Sequence, residues 1–190
     1  MNTIQGVGIV GCGTMGAGFA EICARADLDV LVIAANAASG SRSRARIGHS
    51  LDRGVRKGKL TLAASRAAAE RIAFATDPAE LHDRDFVLEA MPEHLPTKLG
   101  VLRDLSRVIG DATVLATTTS SIPIMRLARA THRPGQVIGT HFFNPIPAMP
   151  LVELTRSLRT SEVTTARTTS FLEDTLEKHV IQVPDQTGFW

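Results

Sequence analysis

Several residue types are scarce in this chain of 190 residues, and their scarcity narrows what the protein does. It contains no tyrosine, and aromatic residues make up only 4% of it, so stacking on nucleic-acid bases is disfavoured. The net charge of +2 gives no general attraction to nucleic acid or to an anionic membrane. Cys12 and Cys23 form no C-x-x-C pair, which favours a reducing cytoplasmic setting and indicates no zinc site or other metal site.

Long apolar runs are also missing. No segment reaches the ~18 apolar residues that a membrane-spanning helix needs, and no basic stretch precedes the short apolar run at the N-terminus. We therefore expect a cytoplasmic protein with neither a nucleic-acid partner nor a membrane partner. Its length suits one domain, or one domain and the start of another.

The sequence does contain a glycine-rich turn in an informative place. An apolar strand pattern at Gly6–Val10 leads directly into GCGTMG, a helix is predicted over Met15–Ala26, and a second apolar strand follows at Val30–Ile33. These elements make a βαβ unit of roughly 30 residues, the context in which G-x-G-x-x-G binds a dinucleotide.

Each glycine of this turn has a separate physical reason. Gly11 permits the tight turn, Gly13 lets a pyrophosphate approach the backbone, and Gly16 lets the helix pack closely on the strand. The amino end of the helix offers N–H groups to phosphates. The pattern predicts a dinucleotide site, and a glycine turn without a ligand is the alternative.

The second strand ends at Ala34, where an acidic residue normally holds a ribose 2'-hydroxyl. Losing the carboxylate also removes repulsion against a 2'-phosphate, and serines and arginines follow closely. They are Ser39, Ser41, Arg42 and Arg44. NADP thus becomes an option beside NAD. The alternative is a solvated helix face, because Arg42, Arg44 and Arg46 alternate and cannot all face one ligand.

The rest of the chain continues to alternate between strands and helices. Further strands are predicted at Ile72–Ala75, Phe86–Met91, Ala112–Ala116 and His179–Val183. Residues 37–71 are predicted to form two helices divided near Gly54 and Gly58. Further helices are predicted at Leu95–Val108 and from Ser161 to Leu176. We predict an α/β fold of Rossmann type, a doubly wound and mainly parallel sheet with helices on both faces.

Polar side chains follow several of these strands. Because strand ends share one edge of a parallel sheet, Glu93, the hydroxyl cluster Thr117–Ser121 and His141 should converge on one rim. The cluster could instead be an ordinary strand end in which Ser120 or Ser121 caps a helix.

The segment Val137–Thr155 contains two ionisable side chains, His141 and Glu153. It is expected to form a strand, a proline-rich turn and a second strand, which would return Glu153 beside His141. The carboxylate would then bind one imidazole nitrogen while the other exchanges a substrate proton, making an acid/base dyad. A buried histidine with a structural carboxylate is the alternative.

Five motifs spread along the whole chain support a family resemblance. They are GxGxMGxG at Gly11–Gly18, LEAMPEHLPTK at Leu88–Lys98, TTTSSIPI at Thr117–Ile124, GTHFFNPIPAMPLVEL at Gly139–Leu154, and DQTGF at Asp185–Phe189. Together they closely resemble the L-3-hydroxyacyl-CoA dehydrogenases, particularly the bacterial 3-hydroxybutyryl-CoA dehydrogenases. The resemblance implies hydride transfer, in fatty acid metabolism, between nicotinamide C4 and C3 of a 3-hydroxyacyl or 3-oxoacyl thioester of CoA or acyl carrier protein.

The resemblance also assigns roles to residues. His141 corresponds to the general base and Glu153 to the group that orients it, while Ser120 and Asn144 match residues that bind the 3-oxygen and position the histidine. Substrate contacts would come from Ser50 and Lys57, which match residues at the CoA portion, and from Ser120. The cofactor-binding set would be Gly11, Cys12, Gly13, Thr14, Met15, Gly16, Ala34, Glu93 and Lys98, with Glu93 and Lys98 near the nicotinamide-side ribose.

Three departures from the family pattern affect these expectations. The acidic residue after the second strand is Ala34, and an asparagine in the pattern S-N-T-S-S is Thr118. The family also continues into a helical domain that completes the acyl site and forms the dimer. We expect residues 1–184 to be an NAD(P)-binding domain and residues 185–190 the start of a truncated helical domain.

Alternatives to an active dehydrogenase follow from that truncation. The chain could be a non-catalytic dinucleotide-binding module, or a half-enzyme that needs a separate helical partner subunit, and a homodimer is a further expectation. A short-chain dehydrogenase is excluded, because its chemistry uses a tyrosine and this chain has none.

Overall fold

Eight strands and six α-helices make up the part of the chain that the computed structural model describes, residues 3–186. Strands β1 to β8 are Gly6–Val10, Asp29–Ile33, Ile72–Ala75, Phe86–Glu89, Val114–Thr117, Val137–Phe142, Leu151–Thr155 and His179–Val183. Helices α1 to α6 are Thr14–Arg25, Ala37–Arg56, Leu62–Glu70, Leu95–Val108, Ile124–Ala128 and Glu162–Ser170. Most of the expected second-domain start lies outside the described residues.

The strands form one eight-stranded sheet in the order β3-β2-β1-β4-β5-β6-β7-β8. The first six strands are parallel; β7 runs antiparallel to β6, and β8 runs parallel to β7. The predicted doubly wound, mainly parallel sheet is therefore confirmed. Its strand order reverses between β1 and β4, and such a point opens a ligand crevice at the carboxyl ends of the strands.

Apolar side chains cover both faces of the sheet, which explains the continuous apolar runs of the parallel strands. In β4, Phe86 and Leu88 join a core with Phe19 of α1, whereas Val87 joins a second core with Leu102 of α4. Successive residues of a strand point to opposite faces, so one short strand supplies both cores. This double burial fixes the strand ends relative to α1 and α4.

The predicted helix after Ser161 differs in detail from the helix observed. The helix capped by Ser161 ends at Ser170 and continues as a π-helical turn, Phe171–Thr175. In this turn Phe171 is buried, and its ring lies 4.8 Å from that of Phe86 between centroids. The π-helical turn therefore packs into the core on the sheet face that α1 covers. The spacing of apolar residues in the sequence did not indicate this change of helix type.

Candidate active site

His141 and Glu153 lie directly opposite each other on the antiparallel strands β6 and β7. The imidazole Nδ1 is 2.7 Å from a Glu153 carboxylate oxygen. The glutamate side chain is 2% exposed and the histidine side chain 22%. The structure thus pairs a buried carboxylate with a partly exposed imidazole at the carboxyl edge of the parallel strands, as the strand-turn-strand pattern indicated. Such a pair can orient the ring and stabilise its charged form.

The turn between these strands is held by contacts that sequence reasoning missed. It starts at the exposed Asn144 and contains the buried Ile146. Ile146 packs against Gly18 of α1, where an added Cβ would lie only 3.2 Å from the Ile146 side chain. The ammonium group of Lys178 donates to the carbonyls of Ile146 and Met149, both at 2.8 Å. These bonds anchor the turn that carries Asn144, and Phe143 lies edge-on to the His141 ring.

The glycine turn between β1 and α1 is shaped for close approach of a ligand. A Cβ at Gly11, where φ is +107°, would lie 2.6 Å from the Ala90 carbonyl, and one at Gly16 would lie 1.9 Å from the Gly11 carbonyl. A Cβ at Gly13 would meet no described atom within 4 Å. The first and third glycines are therefore needed by the fold, whereas the second keeps the surface open.

The same turn suits an anion. Helix α1 begins at Thr14 with Gly13 as its N-cap, and within residues 3–186 no side chain caps this end. Its first turn contains Thr14, Met15 and Gly16 and no acidic residue. Backbone N–H groups at an uncapped helix start, together with the helix dipole, favour phosphate. The residues present thus fit the pyrophosphate of a dinucleotide, and Cys12 lies half-buried within the turn.

Glu93 joins two loops at the sheet edge. Its carboxylate accepts hydrogen bonds from the hydroxyls of Thr119 and Ser121, at 2.5 and 2.8 Å, and from the backbone amides of Ser120 and Ser121. Burial acts to raise the pKa of Glu93, but these bonds and the charge of Lys98 outweigh burial, so the pKa is lowered from its ordinary value of 4.5. The predicted convergence of Glu93 with the hydroxyl cluster is confirmed.

The competing helix-cap role of Ser120 and Ser121 is wrong. Helix α5 begins three residues after Ser121, and Asp185 accepts hydrogen bonds from the amides of Ile124 and Met125 at 2.6 and 2.8 Å. The serines are bound to Glu93 instead. The cap therefore comes from the segment that follows β8, sixty residues along the chain.

Lys98 lies inside the protein rather than at an open ribose site. Its side chain is 0% exposed and forms an ion pair with the equally buried Glu89, the last residue of β4. Its ammonium group also lies 3.5 Å from Glu93. A contact between Lys98 and a ribose stays a prediction. Glu89 is a member of the site that sequence reasoning missed, although its place at the end of a buried strand was a signal.

The two expected CoA contacts lie on α2, which packs against α1. Ser50 lies beside Glu21, a buried residue of α1. Burial raises the pKa of Glu21, although Ser50 and Arg25 oppose that rise. Lys57 is exposed and ends the helix. The contact of Ser50 and Lys57 with a substrate stays a prediction.

Within residues 3–186, no helix has both the length and the apolar character to cross a membrane. The described side chains include no group of three or more histidine, cysteine or acidic residues placed to hold a metal ion.

Comparisons with known proteins point to one family. The model of the "3-hydroxyacyl-CoA dehydrogenase, NAD binding domain" family matches residues 6–186. A 3-hydroxybutyryl-CoA dehydrogenase of Mycobacterium tuberculosis is 45% identical over 189 residues, covering 99% of this chain and 66% of the relative. A Clostridioides difficile enzyme of the same name is 34% identical, with 95% of this chain and 64% of the relative covered. The chain therefore spans just under two thirds of the length of these relatives.

Solved structures give the same result. The crystal structure of FadB2 from Mycobacterium tuberculosis superposes with a TM-score of 0.97 at 45% identity, covering 99% of this chain and 66% of the other. That of (S)-3-hydroxybutyryl-CoA dehydrogenase PaaH1 from Ralstonia eutropha gives 0.94 at 41% identity, covering 98% and 66%.

Proposed function

The chain belongs to the 3-hydroxyacyl-CoA dehydrogenase family, whose NAD-binding domain it matches, and we propose that it binds the cofactor and transfers the proton in oxidoreduction of a 3-hydroxyacyl thioester. One observation carries this proposal: the His141–Glu153 pair lies at the strand edge where the glycine turn also opens. An acid/base group beside a dinucleotide site is what dehydrogenation of an alcohol requires.

In this proposal His141 is the general base that takes the proton of the 3-hydroxyl group. Glu153 accepts a hydrogen bond from the Nδ1 side of the ring, which fixes the ring's orientation and stabilises the imidazolium that forms. Ser120 and Asn144 would bind the 3-oxygen and keep it in place. When bound, the nicotinamide ring supplies the hydride acceptor or donor.

The glycine turn would hold the cofactor pyrophosphate through Gly11 to Gly16, with Glu93 and Lys98 supporting the nicotinamide end. The family model names NAD. Ala34 supplies no carboxylate for the ribose hydroxyls, so NADP is included in the proposal.

The substrate is proposed as a CoA thioester, with acyl carrier protein as the alternative carrier. The relatives are longer than this chain. We therefore propose residues 1–184 as the NAD(P)-binding domain and 185–190 as the start of a further helical unit. Such a unit, in a homodimer or as a separate subunit, would supply the remaining wall of the acyl pocket.

Reduction of acetoacetyl-CoA by NADH and NADPH, measured alongside cofactor binding, tests the proposal. His141→Ala should lower kcat by about 10²–10⁴, the range for loss of a general base, and leave cofactor affinity unchanged. His179→Ala, at an exposed position at the start of β8, is the matched control and should keep full turnover. Equal activity in His141→Ala and the parent would refute the assigned mechanism. Cofactor binding without turnover in the parent would instead favour a non-catalytic module.

A further inference from the structure

A cavity of about 420 Å³ opens at the carboxyl end of β2. Its lining includes Ala34 after β2, Ser41 and Arg44 from α2, and Phe74 from β3. In a βαβ dinucleotide fold, the residue that follows the second strand reaches the 2'-position of the adenosine ribose. The cavity is therefore placed to receive whatever group that position carries.

The usual partner of a 2'-hydroxyl is missing here. Ala34 is buried and presents only a methyl group. Asn36, which also lines the cavity, is committed to the start of α2, because its side chain accepts the Ser39 amide at 2.9 Å. Among the described lining residues, Glu80 is the acidic one, and it is exposed, so solvent and salt weaken its repulsion of an anion.

A cation is held at the same cavity. The guanidinium carbon of Arg44 lies 4.7 Å from the centroid of the Phe74 ring. Phe74 is fixed in β3 opposite Val32 of β2, so the ring gives the arginine a rigid support. A guanidinium group presents paired donors that match the oxygens of a phosphate monoester.

The backbone of helix α2 also favours binding of an anion at this cavity. Helix α2 is 20 residues long, begins beside the cavity and has no acidic residue in its first turn. Its amino end therefore attracts negative charge. The structure also separates the three alternating arginines: Arg44 lines the cavity, Arg46 donates to the Cys12 carbonyl of the glycine turn at 3.5 Å, and Arg42 is absent from the described lining.

We infer that this cavity binds the 2'-phosphate of NADP(H) and that Arg44 selects the phosphorylated cofactor. The inference rests on the proposed function, because it assumes a nicotinamide dinucleotide in the glycine turn. Ala34 permits the phosphate by removing a like charge, and Arg44 binds it. NADPH should therefore bind tighter than NADH by on the order of tenfold or more, the effect of one charge-assisted contact.

Fluorescence titration of the whole chain with NADPH and NADH tests this directly. Arg44→Gln should weaken NADPH binding by about tenfold or more and leave NADH binding unchanged. Arg42→Gln, at another exposed arginine of the same helix, is the matched control and should change the affinity for neither cofactor. Ala34→Asp should reverse the preference toward NADH, because it restores a ribose acceptor and repels the phosphate.

The outcomes separate this inference from the proposed function. Equal or tighter binding of NADH by the parent, or equal loss of both cofactors in Arg44→Gln, would overturn the phosphate site while the dinucleotide site stands. Binding of neither cofactor would overturn both. Unfolding curves of Arg44→Gln that match the parent would show that any loss of NADPH reflects the site and not the fold.

Discussion

The ammonium group of Lys98 donates to both carboxylate oxygens of Glu89, at 3.0 and 2.9 Å, and both side chains are 0% exposed. Glu89 also accepts from the Thr117 hydroxyl at 2.5 Å and from the Met91 amide at 2.7 Å. Glu93 shares the same ammonium group at 3.5 Å. This network links β4, α4 and β5, and we propose that Lys98 and Glu89 position the rim where we place the nicotinamide.

Removing one partner of this buried pair should be costly. Lys98→Met leaves the Glu89 carboxylate buried without a counter-ion, and we expect the free energy of unfolding to fall by about 3–5 kcal/mol. The double variant Lys98→Met/Glu89→Gln should recover most of that loss, because no charge is left unpaired and the amide oxygen can still accept from the Thr117 hydroxyl or the Met91 amide. Urea unfolding measures both, and Lys59→Met, at an exposed lysine, should stay within about 0.5 kcal/mol of the parent. A Lys98→Met variant as stable as the parent would contradict the buried ion pair of Lys98 with Glu89.

Glu93 should make stability depend on pH. Its pKa is lowered in the folded protein, so its carboxylate stabilises the fold above the unfolded pKa of about 4.5, and this contribution is lost as pH falls through the lower folded pKa. Urea unfolding from pH 7 down to pH 3 should show Glu93→Gln less stable than the parent at neutral pH. The difference should narrow below about pH 4.5. A difference that widens on acidification would reverse the sign and refute the argument.

Gly13→Ala should separate cofactor binding from folding. The φ of −71° at Gly13 suits alanine, and a Cβ there meets no described atom within 4 Å, so the free energy of unfolding should change by about 1 kcal/mol or less. The added methyl would nevertheless stand where the pyrophosphate approaches, and affinity for the reduced cofactor should fall about tenfold or more. Titration calorimetry measures the affinity, and Gly100→Ala in α4, which is equally free of contacts, is the control. Unchanged cofactor affinity in Gly13→Ala would refute the pyrophosphate site at the glycine turn.

The two cysteines should differ in reactivity. Burial raises the pKa of the Cys23 thiol well above its ordinary 9.0, and the side chain is 0% exposed, whereas Cys12 is half-buried in the glycine turn. A thiol reagent such as DTNB should label Cys12 alone in the native protein and both thiols in denaturant. Saturating cofactor should slow labelling of Cys12. Equal native labelling of both thiols would show that the α1 core opens readily.

The sequence by itself determined much of the backbone. Strands β1, β3 and β8 and helix α4 occur at their predicted bounds. Their apolar residues follow the strand or helix period, and turn residues flank them. The pairing of His141 with Glu153 was also readable from the sequence. The strand period of two and a proline-rich turn between two strands leave few ways to fold that segment.

Only the tertiary structure decided which polar groups pair across distant elements. Lys98 binds Glu89 inside the protein, Asp185 caps α5 in place of a nearby serine, and Lys178 holds the turn that follows His141. It also decided that Arg44, and not Arg42, lines the cavity beside Ala34. The physical reason is that a local pattern encodes burial and backbone conformation, whereas these contacts depend on where the packed sheet brings side chains separated by up to 61 residues.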